Sequence, residues 1–325
     1  MTEERAAKDV SPQNGRPVSR IFVIGSPRSG TSWLHRMIAE HPRVASIEGE
    51  LTVFSRYLAP VVKAYEREKG HMERGEWSQG LPLLYSGPEF EAAMAGLLSC
   101  IYERLHSGRP DATHVLDKHP DYCHHLALME RFMPEARYVH IIRDGREVVV
   151  SMISAKRRLG YGAGEVEGAA REWQASVMKA RAFGAVIGTR YLEVRYEELV
   201  SDTAAVLRRV FSHFELVITA EEVERIAADY HISLKQVSRG DESLNALRSE
   251  QGAIWRSRLS VKQRFIMDRV AGRLLFALGY ARPGWWATRA IQRLILLPYP
   301  LVLKSKRSIM ALSAIWRNPA IRRGA

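Results

Sequence analysis

Gly25, Gly30 and Ser32 lie in the stretch GSPRSGTSWL (25–34) at the spacing of a nucleotide phosphate loop, G-x-x-x-x-G-K-[ST], but Thr31 stands where the lysine belongs. A loop that leaves a buried strand and enters a helix presents successive backbone N–H groups, and the helix N-terminus adds partial positive charge. An anion is favoured there. The glycines permit the tight path, Thr31 and Ser32 add hydroxyl donors, and Arg28 adds a planar bidentate cation. In ATP and GTP enzymes the missing lysine works with magnesium to neutralise the terminal phosphates. Arginine and backbone donors suffice, without metal, for the smaller charge of a sulfuryl group, so the loop reads as a site for a phosphate ester or a sulfate.

A second anion site is offered by RYVHIIRDGREVVVS (137–151), where Arg143 ends a strand and Ser151 follows eight residues later on a helix. Both can face the crevice beyond the strand ends, where ligands of open α/β sheets bind. The alternative is that Arg143 pairs locally with Asp144 or Glu147.

These stretches resemble the motifs of sulfotransferases that use 3′-phosphoadenosine 5′-phosphosulfate (PAPS). GSPRSGTSW is similar to the family's 5′-phosphosulfate loop, which implies that Arg28, Ser29, Gly30, Thr31 and Ser32 hold the donor. Arg143 and Ser151 match its 3′-phosphate motif. By the same resemblance Trp33 stacks on adenine, and Tyr196, in RYEELV, contacts it. Residues 248–260 (RSEQGAIWRSRLS) look like the Gly-x-Trp-Arg loop over the ribose phosphate, although Gly252 precedes Trp255 by three residues rather than two; Arg248 and Arg256 are carried over from it. The resemblance covers roughly 20–280 by motif order.

Sulfuryl transfer to a hydroxyl or amine needs a base for the acceptor's proton and cations along the bridging oxygen. In HPRVASIEGELTVF (41–54), Glu50 aligns with the catalytic glutamate of heparan-type sulfotransferases and Glu48 with that of tyrosylprotein sulfotransferases. If this segment is extended, both lie on one face and repulsion raises the pKa of one of them. Lys118, in LDKHP, resembles the family's Lys-x-Pro lysine and joins Arg28 as a candidate cation, while the adjacent His119 is the rival base. No metal site is expected.

The elements that must position these residues are legible as apolar runs at 20–25, 114–117, 137–142 and 190–195, alternating with helical periodicity at 31–40, 52–68, 89–106, 122–132, 145–158, 165–187, 201–214, 220–230 and 260–278. Such alternation implies right-handed βαβ units and a P-loop-type three-layer α/β fold with a central, mostly parallel sheet flanked by helices. The chain divides into a disordered leader (1–19), a sulfotransferase domain (20–280) and a basic, aromatic C-terminal segment (281–325).

That last segment carries nine Lys or Arg and no acid, three quarters of the net charge of +12, and the nearly balanced remainder argues against nucleic acid as a partner. Its run LILLPYPLVL (294–303) is too short to span a bilayer; with flanking Trp285, Trp286 and basic residues, 284–325 reads either as lying on an anionic membrane or as packed on the domain. The two cysteines suit a reducing compartment, so the expected location is cytoplasmic, including the inner membrane surface. Expected acceptors are a small molecule, a glycan or a lipid. Oligomeric state has no sequence signature. A nucleotide kinase and a non-catalytic basic membrane adaptor are the alternative readings.

Overall fold

The computed structural model of the chain describes residues 18–160, 162–236 and 254–287. Most of the leader, residues 288–325 and Arg248 lie outside them. The chain divides into two units, Met1–Trp255 and Arg256–Ala325.

The first unit is built on five strands, β1 (Ser19–Ile24), β2 (Val44–Ala45), β3 (His114–Lys118), β4 (Arg137–Ile142) and β5 (Tyr191–Arg195), ordered β2-β3-β1-β4-β5. Every pairing is parallel. The four apolar runs each form a strand. The fifth, β2, is two residues long, too short to leave a periodicity.

Side-chain alternation makes the three layers. Ile21 and Val23 of β1 enter one core cluster with Leu34 and Met37 of α1 (Thr31–Ala39) and with Leu207 and Val210, while Phe22 and Ile24 enter a second with Tyr65, Phe90 and Tyr122. A strand apolar on both faces is what a parallel sheet covered by helices requires. Helix α1, α7 (Tyr196–Ser201), α8 (Thr203–His213) and α9 (Ala220–Gln236) supply the first cluster; α2 (Ala59–Glu73), α3 (Gly87–His106), α4 (Leu126–Phe132) and α6 (Val166–Ile187) supply the second. Helix α5 (Gly145–Leu159) follows β4.

Three expected helices are interrupted. The one at 52–68 begins as a π-helix, Val53–Leu58, ahead of α2, and the one at 122–132 begins as a 3₁₀ turn, Pro120–His124. The one at 201–214 breaks at Asp202, whose carboxylate accepts from Ala205 N at 2.9 Å and starts α8 afresh. In the second unit, α10 (Ile254–Arg258) crosses the boundary and α11 (Val261–Ala277) starts at a capping box between Ser260 and Gln263.

Phe22 is the aromatic hub of the second cluster, with the rings of Phe54, Tyr102, Tyr122 and Tyr138 at 6.1, 6.3, 6.2 and 5.4 Å. Phe22→Ala is expected to lower the unfolding free energy by about 3–5 kcal/mol, through lost burial and an unfilled cavity. Urea denaturation checks this, and a loss under about 1 kcal/mol would show that the hub collapses without cost.

Candidate functional site

β1 lies between β3 and β4, so three parallel strands end side by side. The loop 25–30 leaves β1 for α1, Lys118 closes β3, and Arg143 follows β4. Gly25 is required because a Cβ there would stand 2.6 Å from Ile141 O. Gly30 has φ +99°, and its Cβ would meet Tyr196 Cδ2 at 2.7 Å. Arg28 holds φ 69° without being glycine, a strain of the kind that gathers at functional sites. No side chain caps α1, which leaves its leading N–H groups for an anion.

The two expected anion clusters touch. Arg28 Nε donates to Ser151 Oγ at 3.0 Å, and Arg143 Nη1 donates to Arg28 O at 3.4 Å. The Arg143 guanidinium lies 4.2 Å from the centre of the Tyr196 ring, which in turn packs against Trp33 at 6.0 Å. The local carboxylates have partners of their own: Arg146 Nη2 donates to Asp144 Oδ2 at 2.6 Å, and Trp255 N donates to Glu147 Oε1 at 3.4 Å.

Six buried side-chain polar atoms among the described residues have no hydrogen-bond partner, and three of them belong to the loop and its packing: Ser29 Oγ in the loop itself, Tyr196 OH on the ring against Gly30, and Trp33 Nε1 on the indole against that ring. Each such atom costs about 1–3 kcal/mol unless something meets it. Burial pushes the Tyr196 phenol up to about 12. Backbone donors, two arginines and unsatisfied hydroxyls around aromatic walls fit a doubly anionic nucleotide. Trp33 is only 4% exposed and belongs to the core cluster, so its indole forms the inner wall.

On the other side of the loop, Lys118 Nζ donates to Ser32 Oγ at 3.0 Å and to Glu50 Oε1 at 2.6 Å. His119 Nε2 lies 3.2 Å from Glu50 Oε2. Asp121 N donates to His119 Nδ1 at 3.2 Å, which leaves Nε2 to carry a ring proton and donate to Glu50. Both ring nitrogens are thus engaged. The Lys118 side chain is 5% exposed and that of Glu50 is 35% exposed.

The expected repulsion between Glu48 and Glu50 is overturned. Gly49, at φ +121°, bends the chain between them, so the extended segment that would align them is absent, and Glu48 is exposed. The His119 hydrogen bond, and with it Lys118, holds the Glu50 carboxyl down at about 2 against the opposing effect of burial. Arg256 is exposed on α10 in the second unit, while Arg248 lies outside the described residues.

Three neighbours escaped the sequence reading. Asp117 is buried beside Lys118 and accepts from Tyr102 OH at 2.9 Å, Tyr122 OH at 2.8 Å and Lys118 N at 2.7 Å. An acid inside the otherwise apolar run HVLD was its signal. Arg146 lies 4.3 Å from the centre of the Trp255 ring, fixing the end of the first unit against the turn after Arg143. His35 on α1 contacts Ser46 Oγ at 2.7 Å, and Ser46 donates to Leu116 O at 3.3 Å; this ties the segment leading to Glu50 onto β3.

Because the folded value of Glu50 lies below its ordinary 4.5, its pairing contributes stability that is full above 4.5 and fades as pH falls toward about 2. Thermal melts against pH should show wild type above Glu50→Gln at neutrality and the two converging below 4.5. Parallel curves would show that the Lys118–Glu50 pair contributes no stability.

The model of the Sulfotransferase family matches residues 20–220. Protein-tyrosine sulfotransferase A of Caenorhabditis elegans is 28% identical over 231 residues, covering 69% of this chain, and the chain spans 57% of that relative's length. Protein-tyrosine sulfotransferase 1 of Danio rerio is 27% identical over 302 residues, 89% of this chain and 78% of the relative. Among solved structures, the sulfotransferase domain from the Synechococcus PCC 7002 olefin synthase superposes with a TM-score of 0.51 at 23% identity, covering 84% of this chain and 98% of the domain. Mouse sulfotransferase SULT7A1 complexed with PAP, the desulfated donor, gives 0.50 at 14%, covering 80% and 86%. These two likenesses speak for the α/β fold, and the family model, matched across more than half of the sequence, carries the conclusion that the chain belongs to the sulfotransferase family.

Proposed function

We propose that the protein transfers a sulfuryl group from PAPS to a hydroxyl or amine of an acceptor. The observation that carries this reading is the position of the loop 25–32 between two polar clusters, hydrogen-bonded to Ser151 through Arg28 on one side and to Lys118 through Ser32 on the other, both at 3.0 Å. PAPS supplies the sulfuryl group, which moves to the acceptor as its bond to PAP breaks.

Arg28, Ser29, Gly30, Thr31 and Ser32 would hold the 5′-phosphosulfate, Arg143 and Ser151 the 3′-phosphate, and Trp33 and Tyr196 the adenine edge. Glu50 takes the acceptor's proton. It is ionised at neutral pH but weakly basic while both partners hold it, so Lys118 must turn from Glu50 toward the bridging oxygen, where negative charge builds, which frees Oε1 for the acceptor and restores its basicity. His119 steadies the other oxygen as a donor. Glu50 is accordingly proposed as the base ahead of Glu48 and His119.

The acceptor is proposed to be a small molecule, a glycan or a lipid, and the names of the relatives add a tyrosine hydroxyl to the classes worth assaying. A cytoplasmic site, with 284–325 on the inner membrane surface, is proposed on the sequence reading and on two free cysteines, Cys100 and Cys123.

Thermal shift separates the alternatives: PAP alone should stabilise the protein, whereas a kinase would respond to ATP with magnesium and a non-catalytic adaptor to neither. Arg143→Ala should weaken PAP binding by about 1.5–3 kcal/mol in calorimetry, the value of a hydrogen bond to a charged group. Unchanged affinity would refute the assignment of Arg143. Glu50→Gln should lower kcat for sulfate transfer from PAPS by about 10²–10⁴-fold with PAP affinity kept. A full-rate Glu50→Gln enzyme would transfer the role to another group.

A further inference from the structure

The second unit holds 15 Lys or Arg and a single acid, Asp268, whereas the first 255 residues carry 33 basic and 35 acidic side chains. The whole positive excess of the protein therefore sits in 256–325. Asp268 Oδ1 accepts from Trp285 Nε1 at 2.7 Å. The unit has no other carboxylate with which to balance its cations.

Helix α11 arranges part of this charge on one face. At about 100° per residue, the exposed Lys262, Phe265, Arg269, Arg273 and Phe276 fall within an arc of about 80°, and the buried Met267, Ala271 and Leu275 lie opposite. The inward face is the one that packing demands. The outward face is not the polar one a solvated helix would carry, because Phe265 is 43% and Phe276 61% exposed. Trp286 extends this aromatic surface, its ring edge-on to Phe265 at 4.9 Å.

We propose that this face of α11 docks the protein on an anionic phospholipid surface, with Lys262, Arg269 and Arg273 at the headgroups and Phe265 and Phe276 inserted among them. Charge complementarity calls for an anionic occupant, and exposed rings between cations on a convex helix match the interfacial pattern of aromatic and basic residues. A nucleic-acid duplex would use the three cations but leave the exposed Phe265 and Phe276 without a role, so the rings favour a lipid surface over a polynucleotide. The surface stands on its own observations, independent of the donor site and of the acceptor.

The test is co-sedimentation of the full chain with phosphatidylglycerol–phosphatidylcholine vesicles, with pure phosphatidylcholine as the neutral control. Wild type should partition to the anionic vesicles alone. Reversing all three cations (K262E, R269E, R273E) should reduce partitioning by at least about a hundredfold, and Phe265→Ser with Phe276→Ser by about tenfold with every charge kept. Unchanged far-ultraviolet circular dichroism and an unchanged thermal melt serve as the folding control, and Phe276→Ser alone decides the question if the double variant fails to fold.

The proposal falls if the phenylalanine variants partition like wild type, or if duplex DNA or RNA binds the chain as tightly as the vesicles do and the phenylalanines do not matter to it. It also falls if those substitutions change the oligomeric mass and leave vesicle binding alone, which would make the occupant a second copy. Loss of binding on removal of 284–325, with no effect of the α11 substitutions, would move the surface to the tail and overturn it as well.

Discussion

The Lys118 ammonium, almost wholly buried at the end of a central strand, is the constraint around which the site is arranged. A buried cation must be paired and hydrogen-bonded or it loses its charge. Glu50 and Ser32 meet that demand, and in doing so they join the loop after β2, the strand β3 and the first turn of α1 at one point. Asp117 strengthens the junction from beneath, holding Lys118 N together with Tyr122 of the turn that follows. The cation that would answer charge on a bridging oxygen is therefore also a structural pin, and the same pairing keeps Glu50 ionised.

Strain is placed at the two loops that meet there. Of the three non-glycine residues with positive φ among the described residues, Arg28 lies in the donor loop and Thr52 lies two residues beyond Glu50, at the start of the π-helix. Both conformations cost energy that the surrounding packing must overcome, and π-turns recur at functional sites for the same reason. The opposite wall is rigid in a different way: Arg143 is stacked on Tyr196, and Asp144, Arg146, Glu147 and Trp255 lock the turn beside it. A site of fixed anion donors with unsatisfied hydroxyls between them needs little rearrangement to receive charge.

The four strands were legible because burial on both faces writes an uninterrupted apolar run, as in RIFVIG, and α1 because its stripe of Leu34, Met37 and Ile38 has helical spacing. The short β2, the π-helix and the break at Asp202 were not, since each turns on one or two backbone hydrogen bonds that leave no periodicity. The candidate site divides in the same way. Arg28, Ser32, Arg143 and Ser151 could be named from two short motifs, and Lys118, Glu50 and His119 from the resemblance they carry. Which of these residues touch could not, and the expected rise in the pKa of a glutamate became a fall once Gly49 bent the chain and two donors closed on Glu50.

Residue type and local spacing determined that this chain makes an α/β sheet with an anion loop lacking its lysine, because those properties depend on neighbours within a few positions. Strand order was decided only by the tertiary structure. Placing β1 between β3 and β4 brought Arg28 to Ser151 and Ser32 to Lys118, across 123 and 86 positions of sequence, and with Lys118 and His119 beside it Glu50 took a lowered pKa, since a charge takes its pKa from the groups beside it in space rather than from those beside it in the chain.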